Sequence, residues 1–331
     1  MSANLSNETT YRIIRECFGD TSWILTMMPA SLLIICVLGI ILNLLVLIVF
    51  CFHKKACTVP EIYLSNLAAA DLLLMGSLLF LVVSLIYTYH SALCVVITAI
   101  NINSCCSSGF LVLVSIDRYL ALVHPLSHER LRRPICAKLG CLLVWTLGLL
   151  LSVHNIIYIE IAHNPWQNAT VCTFRFTDMS TILLSYAIFS IFSFFIPLCI
   201  MCFCTVKIVN VLRNRVIERS NTQKMEHKAT TLVLAVLLVF LICWLPFHMI
   251  VLIHVLLSYI PHNYCLYEFI SITRWFSILL AFFNSAFNPI LYVIVGKTFR
   301  TKVKEFFQQC KTITTTTTTS LTSTYTTQTS V

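Results

Sequence analysis

Seven apolar runs dominate this chain, and each is long enough to cross a lipid bilayer as a helix. They cover residues 23–52, 64–89, 92–122, 137–161, 179–211, 229–259 and 269–295. A helix crosses the apolar core of a bilayer with about 20 residues, and backbone groups in lipid must satisfy their hydrogen bonds within the protein. We therefore predict an all-α membrane protein, a seven-transmembrane helix bundle over residues 23–295.

Composition excludes the common alternatives. The chain is 58% hydrophobic and 11% charged, whereas soluble domains carry about 25% charged residues, so a soluble globular protein is excluded. The runs are continuous, and only 7 of the 331 residues are glycine. This argues against a membrane β-barrel, whose strands alternate apolar and polar residues.

The distribution of charge predicts the orientation in the membrane. Seven spans put the two termini on opposite sides. With the N-terminus outside, the outer segments carry more acidic than basic residues, and the inner loops and tail hold most of the Lys and Arg. This follows the positive-inside rule. The net charge of +9 therefore indicates contact with anionic membrane lipid rather than nucleic-acid binding.

The first 22 residues are predicted to form a glycosylated extracellular segment. They lack the apolar core of a cleaved signal peptide, so we expect the first span to direct insertion. Asn-X-Ser/Thr triplets, which are glycosylation acceptors, occur at Asn4, Asn7 and Asn168. All three fall in segments that the charge pattern assigns to the outside.

Four cysteines fall on the oxidising outer side, namely Cys17, Cys94, Cys172 and Cys265. Four cysteines allow three pairings, and we favour Cys94 with Cys172 and Cys17 with Cys265, which would shape a lid over the outer mouth of the bundle. The cysteines inside the spans are expected to be small buried apolar residues. No further His or Cys pair completes a transition-metal site there.

The C-terminal part divides into an amphipathic segment and a polar tail. Residues 296–310 form a basic amphipathic stretch that ends at Cys310, which predicts a short eighth helix on the membrane surface with an acylated cysteine. Residues 311–331 are almost all Thr and Ser, a composition that predicts disorder. The final residues 329–331 suit the groove of a PDZ domain.

Asp71 is the clearest functional candidate, because an ionisable side chain inside a span is energetically expensive. Neutral polar side chains are expected around it. They are Asn43, Ser107, Ser108, Asn284, Ser285 and Asn288. One carboxylate among several neutral oxygens suits a hard monovalent cation such as sodium. The alternative is a purely structural hydrogen-bond network.

Further residues predict a conformational switch. Residues 117–119 (Asp-Arg-Tyr) end the third span, and Glu226 lies at the inner end of the sixth. Arg118 would pair with Asp117 and reach Glu226 until a signal breaks the contact. Prolines in the last two spans remove backbone hydrogen bonds and bend their helices beside aromatic groups. The predicted switch residues are Asp117, Arg118, Tyr119, Glu226, Trp244, Pro246, Asn288, Pro289 and Tyr292.

These motifs resemble those of the class A, rhodopsin-like G-protein-coupled receptors over about residues 25–310. Stretches outside the shared switch motifs, among them 50–54, 57–64 and 292–296, are similar to the bradykinin (kinin) peptide receptors. The resemblance implies a plasma-membrane receptor, not an enzyme, that binds an extracellular peptide. It also implies coupling to a heterotrimeric G protein of the phospholipase-C class, calcium release, and a tail that a receptor kinase phosphorylates for arrestin binding.

The resemblance also implies a ligand site within the bundle. The residues expected to contact the ligand are Trp244, Phe247, Glu268 and Arg274. Kinin receptors place several acidic residues after the cysteine of the last outer loop, whereas this chain keeps only Glu268, which together with Arg274 would suit a zwitterionic peptide. The spacing from Cys94 to Arg118 is one residue shorter than usual, so we expect a local irregularity of the third helix near residues 108–110.

Other functions remain open from the sequence. A class A receptor could bind a different peptide or a lipid, and a scavenger receptor would bind ligand without signalling. A transporter or proton pump is disfavoured, because residues 269–295 contain no Lys that could hold retinal and the two halves of the chain show no repeat.

Overall fold

A computed structural model describes most of the chain. The described residues are 22–52, 57–86, 92–124, 133–164, 169–174, 179–214, 221–257, 264–295 and 299–309. The predictions for Asn4, Asn7, Asn168, Cys17, Cys310 and the tail 311–331 lie outside these ranges, as do the side chains of Glu226 and Tyr292.

The described chain is a bundle of long helices joined to one short hairpin. The helices are α1 (Ser22–Phe52), α2 (Val59–Ile86), α3 (Ala92–Val123), α4 (Pro134–Tyr158), α5 (Met179–Ser190, Ile191–Phe195 and Ile196–Asn214), α6 (Asn221–Leu257), α7 (Tyr264–Val295) and α8 (299–309). Within the described ranges, seven helices are long and apolar enough to cross a membrane. The predicted seven-transmembrane bundle and its short eighth helix are confirmed.

The helices pack in a closed ring, and α3 lies inside it. α7 packs on both α6 and α1, which closes the ring, and α3 contacts α2, α4, α5 and α6. Close packing of α3 on α4 depends on glycine, since a Cβ added at Gly148 would lie 2.5 Å from Cys106 Sγ. Large apolar side chains such as Leu142 and Leu150 of α4 are 62% exposed. An apolar outer surface of this extent is what a lipid-facing bundle presents.

One feature was not predicted, and one local prediction is wrong. After α4 ends at Tyr158, near the approximate end of the fourth apolar run, the chain forms β1 (Ile159–Asn164), which pairs antiparallel with β2 (Ala169–Phe174). β-Branched residues in both strands favour extended backbone. The predicted irregularity near 108–110 is absent, because α3 runs through it and the Ser108 hydroxyl donates to backbone carbonyls of the same helix.

The irregular helix is α5 instead. Residues Ile191–Phe195 form a π-helical turn, in which the backbone N–H of Ile196 donates to the carbonyl of Ile191 five residues earlier. The next residue, Pro197, has no backbone N–H to donate. Single π-helical turns within α-helices are often found at functional sites. The turn in α5 places Phe194 fully inside the bundle.

Candidate functional site

A disulfide marks one end of the bundle. Cys94 at the start of α3 is bonded to Cys172 in β2, with the two Cα atoms 5.5 Å apart, which confirms this predicted pair. We call this the disulfide end, and the opposite end of α3 the Arg118 end. Cys265 is also disulfide-bonded, and its partner is not among the described residues. The predicted bond between Cys17 and Cys265 stays a prediction.

A cavity of about 720 Å³ occupies the bundle at the disulfide end. It is lined from α1, α2, α3, α5, α6 and α7, and mostly by apolar side chains. Three of the four predicted ligand-contacting residues line it, namely Trp244, Phe247 and Arg274. Glu268 is half-buried on α7 and is not among the lining residues. The geometry therefore brings the two aromatic residues and the cation together without Glu268.

An aromatic cluster connects this cavity to the interface between α5 and α6. Trp244 is 4% exposed, and its ring lies 6.1 Å from that of His248. The His248 ring stacks on Phe194 at 4.6 Å, and Phe194 stacks on Phe240 at 5.6 Å. His248 Nδ1 also pairs with Ser190 Oγ at 3.1 Å. Sequence reasoning missed these contacts, because the π-helical turn that positions Phe194 leaves no signature in the apolar pattern.

Asp71 joins three helices and is 0% exposed. Asn103 of α3 donates to its Oδ1 at 3.0 Å, and Asn288 of α7 donates to its Oδ2 at 2.9 Å. Asn103 was not predicted. Its one-turn spacing from Ser107 would have placed both on one face of the third span, and it also lines the cavity.

Several buried oxygens on α1, α3 and α7 have no hydrogen-bond partner within the described part of the chain. They are Asn43 Oδ1, Ser104 Oγ, Ser107 Oγ, Asn284 Oδ1 and Ser285 Oγ. Asn43 uses its amide nitrogen to donate to the carbonyls of Gly39 and Ser285. A carboxylate with unpaired neutral oxygens on the surrounding helices is a donor set that a hard monovalent cation would accept. Ser108 contributes none, since its hydroxyl bonds within α3.

The Arg118 end carries the predicted switch motif. Arg118 Nη2 lies 3.0 Å from Asp117 Oδ2, and the Asp117 side chain is 5% exposed. Tyr119 pairs with His124 Nε2 through its hydroxyl at 3.0 Å. The predicted contact between Arg118 and Glu226 stays a prediction, because the Glu226 side chain lies outside the described residues. Pro246 and Pro289 lie inside α6 and α7, as expected.

A second charged pair at this end was not predicted. Lys302 Nζ of α8 lies 2.9 Å from Glu61 Oε1 of α2, with both side chains under 10% exposed. Glu61 Oε2 also accepts the backbone N–H of Thr58 at 2.8 Å, the return half of a capping box that the sequence Thr-Val-Pro-Glu encodes. Burial, followed by the Glu61 carboxylate, raises the pKa of the neighbouring Cys57 thiol.

Together, the closed seven-helix bundle, the cavity under a disulfide and the Asp-Arg-Tyr motif define a class of membrane receptor. Residues 42–292 match the model of the seven-transmembrane receptor family, rhodopsin type. The chain belongs to this family. It is a multi-pass plasma-membrane protein of a receptor family and not an enzyme.

Within this family, the chain is similar to the bradykinin receptors. The chain is 39% identical to the B2 bradykinin receptor of Cavia porcellus, over 86% of this chain and 79% of that protein. It is 38% identical to the human B2 bradykinin receptor, over 86% of this chain and 75% of the relative. Its identity to the B1 bradykinin receptor of Macaca mulatta is 34%, over 86% and 83% respectively. The predicted resemblance to the bradykinin receptors is confirmed.

Proposed function

We propose that this protein is a cell-surface receptor for an extracellular peptide of the kinin class and that it signals through a heterotrimeric G protein. The observation that carries the proposal is a cavity lined by Trp244, Phe247 and Arg274 in a chain 39% identical to a B2 bradykinin receptor. In this proposal the N-terminus and the disulfide end face outward, and the Arg118 end faces the cytoplasm, in agreement with the positive-inside distribution of charge.

Ligand binding would act by shifting the population between two arrangements of the bundle. A peptide above Trp244 and Phe247 touches a cluster that continues through His248 to Phe194 on α5. A change of the Trp244 rotamer would therefore alter how α6 packs on α5. The proline in α6 gives this helix a point at which to bend.

The Arg118 end would respond to that movement. An outward shift of α6 would separate Glu226 from Arg118, and the Arg118 guanidinium would then be available to the G protein. The Asp71 network joins α2, α3 and α7, so a rearrangement of α7 around Asn288 would reach the same end. We propose that the switch consists of residues at the end of α3 and in α6 and α7, namely Asp117, Arg118, Tyr119, Glu226, Trp244, Pro246, Asn288, Pro289 and Tyr292.

We further propose that a sodium ion binds at Asp71 and favours the inactive arrangement. The unpaired buried oxygens on α1, α3 and α7 support this proposal. The ion would be held by the Asp71 carboxylate together with Ser107, Asn284 or Ser285. Repacking of these helices would disperse the donor set, so the ion and the active arrangement would oppose each other.

The remaining partners are proposals that follow from the family. Coupling to a phospholipase-C-linked G protein would release calcium. The Thr-rich tail would be phosphorylated by a receptor kinase and then bind an arrestin, its last residues would bind a PDZ domain, and an acylated Cys310 would hold α8 on the membrane. Glycosylation of Asn4, Asn7 and Asn168 would accompany the proposed orientation.

The test is calcium release in cells that express the receptor with an N-terminal epitope. Bradykinin, or the same peptide without its C-terminal arginine, is expected to raise cytoplasmic calcium in these cells and not in untransfected cells. Silence to both peptides with the epitope detected at the surface would contradict a kinin receptor, and would favour a class A receptor for another peptide or a lipid. Peptide uptake without any calcium signal would favour a scavenger receptor.

A further inference from the structure

The cavity at the disulfide end has two chemically different sides. The side formed by α5 and α6 carries polar groups, among them Ser185, Tyr186 and His254. In contrast, the described residues that line the cavity from α1 and α2 are all apolar. We call the side between α1, α2, α3 and α7 the apolar lobe. Its residues are Met28, Leu32, Leu74, Leu78, Val96 and Phe282.

The apolar lobe is one continuous apolar surface. Five of its six residues belong to a single packed cluster and are each under 10% exposed, namely Leu32 of α1, Leu74 and Leu78 of α2, Val96 of α3 and Phe282 of α7. Since these side chains carry no hydrogen-bond donor or acceptor, a peptide backbone placed against them would lose its hydrogen bonds with water and gain none. A hydrocarbon chain has no such groups, and it gains free energy when it is buried there.

A cation lies above this lobe, nearer the disulfide end. Arg274 of α7 lines the cavity, and Ile278 and Phe282, one and two helical turns further along α7, line it as well. At 1.5 Å per residue, Phe282 lies about 12 Å deeper than Arg274. The cation and the apolar surface therefore follow one another along α7, in the order in which the head group and the chain of an anionic amphiphile would lie.

Arg274 has no charged partner within the described part of the chain. Its guanidinium makes no ion pair or hydrogen bond there, and no Asp or Glu is among the described residues that line the cavity. A half-buried cation without a counter-ion is unfavourable in surroundings this apolar. Guanidinium binds a carboxylate through two parallel hydrogen bonds. Because Arg274 is the one Lys or Arg among the described lining residues, a single negative charge would neutralise it.

We propose that the apolar lobe binds the chain of a long-chain fatty acid, whose carboxylate pairs with Arg274 and whose terminal methyl lies against Leu74 and Phe282. The fatty acid is a ligand in addition to the peptide, so this inference goes beyond the proposed function. A single carboxylate matches the single guanidinium, whereas a phosphate monoester carries a charge of about −1.5 to −2 at pH 7. The cavity volume of about 720 Å³ is in the range that buries most of a drug-sized ligand.

The experiment is photoaffinity labelling of the purified receptor in phosphatidylcholine nanodiscs. The probe is palmitic acid that carries a diazirine near its terminal methyl, and mass spectrometry locates the labelled residues. We expect labels on α2 and α7 at the apolar lobe, and excess unlabelled palmitate should remove them. Hexadecan-1-ol has the same chain without the charge. It should compete at least about 10-fold more weakly, because it loses a charge-assisted pair.

Two variants test the role of Arg274. At a probe concentration below saturation, Arg274→Gln is expected to reduce labelling of the lobe by about 10-fold, the same factor as loss of the charge from the ligand. Arg213→Gln is the matched control, because Arg213 is exposed in the last turn of α5, at the Arg118 end. It should label like the unmodified receptor. A melting temperature near that of the unmodified receptor shows that each variant is folded.

Labels on the outer surface provide an internal standard. Leu142 of α4 is 62% exposed and faces lipid, so probe dissolved in the bilayer reaches it directly. Labelling of such residues should be equal in the unmodified receptor and in both variants. The ratio of lobe labels to outer-surface labels therefore reports binding in the cavity, independently of how much probe the bilayer takes up.

The outcomes separate this inference from the proposed function. Labels confined to lipid-facing residues, or lobe labels that excess palmitate does not remove, overturn the fatty-acid site. Lobe labels that are unchanged in Arg274→Gln, or that hexadecan-1-ol removes as effectively as palmitate, overturn the pairing of the carboxylate with Arg274. The probe is applied without peptide, so silence of the receptor to kinins would overturn the proposed function and leave the result on the fatty acid standing.

Discussion

Lys302 and Glu61 form a buried ion pair that fastens α8 to α2. Their charged groups lie 2.9 Å apart, and the two residues are separated by 241 positions in the chain. Phe299 packs edge-to-face on Phe50 of α1 beside this pair, with ring centroids 5.4 Å apart. The position of α8 is therefore fixed by contacts with two helices, in addition to any attachment through lipid.

Breaking this pair is expected to destabilise the receptor. Glu61→Gln leaves the Lys302 ammonium buried without a counter-ion, and removal of one partner of a buried pair costs about 3–5 kcal/mol. Lys302→Met should cost a similar amount for the opposite reason. The measurement is the thermal melting temperature of the purified receptor in detergent, which should fall by several degrees in each variant.

Lys304→Met provides the control for this prediction, since Lys304 is exposed on the same helix. It should melt like the unmodified receptor. The double variant Glu61→Gln, Lys302→Met should lose less than the sum of the two single changes. A melting temperature that does not move in either single variant would show that the pair contributes no net stability.

Asp71 is expected to make the receptor sensitive to sodium. Replacing potassium by sodium at constant ionic strength should raise the melting temperature of the ligand-free receptor, because a ligand that binds the folded state stabilises it. Asp71→Asn should remove this difference. Asn101→Ala is a suitable control, because among the described residues the Asn101 amide donates only to the Ile97 carbonyl of its own helix. Equal melting in sodium and potassium would leave Asp71 with the structural role alone.

The bond between Cys94 and Cys172 is expected to support ligand binding as a unit. It fixes β2 over the cavity, and Cys172 itself lines that cavity. Cys94→Ser, Cys172→Ser and the double variant should therefore lose peptide affinity to the same extent, because each removes the same bond. Cys51→Ser, which changes an exposed free cysteine, should bind normally. Additive losses in the double variant would contradict a single shared role.

Much of the fold could be predicted from the sequence, because a long apolar segment in a bilayer must satisfy its backbone hydrogen bonds internally, and a helix does so. The seven apolar runs correspond to seven helices, and errors of a few residues at the ends of a run do not change this assignment. The paired strands β1 and β2 were missed because hydropathy does not distinguish an apolar strand from the end of a helix. The π-helical turn in α5 was missed because it changes the hydrogen bonding of five residues without changing their type.

The site was predictable where one residue type carries the chemistry. Asp71 and Arg118 are charged residues in or beside apolar segments. Placing a charge there costs free energy, so such residues are functional candidates from the sequence alone. Asn103 and the pair of Glu61 with Lys302 required knowledge of which helix faces meet, and the sequence does not contain that information directly. Arg274 lines the cavity and Glu268 does not, and their joint action on a zwitterionic peptide stays a prediction.

Arg118 is expected to be essential for signalling and not for ligand binding. It lies at the opposite end of α3 from Cys94, so Arg118→Ala should leave peptide affinity and surface expression within about two-fold of the unmodified receptor while removing the calcium response. Surface labelling, competition binding and calcium release on the same cells give all three quantities. A variant that signals fully would contradict the switch assigned to Arg118.

In the proposed mechanism, a peptide in the cavity opens the Arg118 end to a G protein. The most direct measurement is guanine-nucleotide exchange on a purified heterotrimer of the phospholipase-C-coupled class, added to purified receptor in lipid nanodiscs. The peptide form with the highest affinity is expected to accelerate nucleotide exchange with the unmodified receptor and not with Arg118→Ala. Tight peptide binding with no acceleration of exchange by the unmodified receptor would contradict the proposed opening of the Arg118 end.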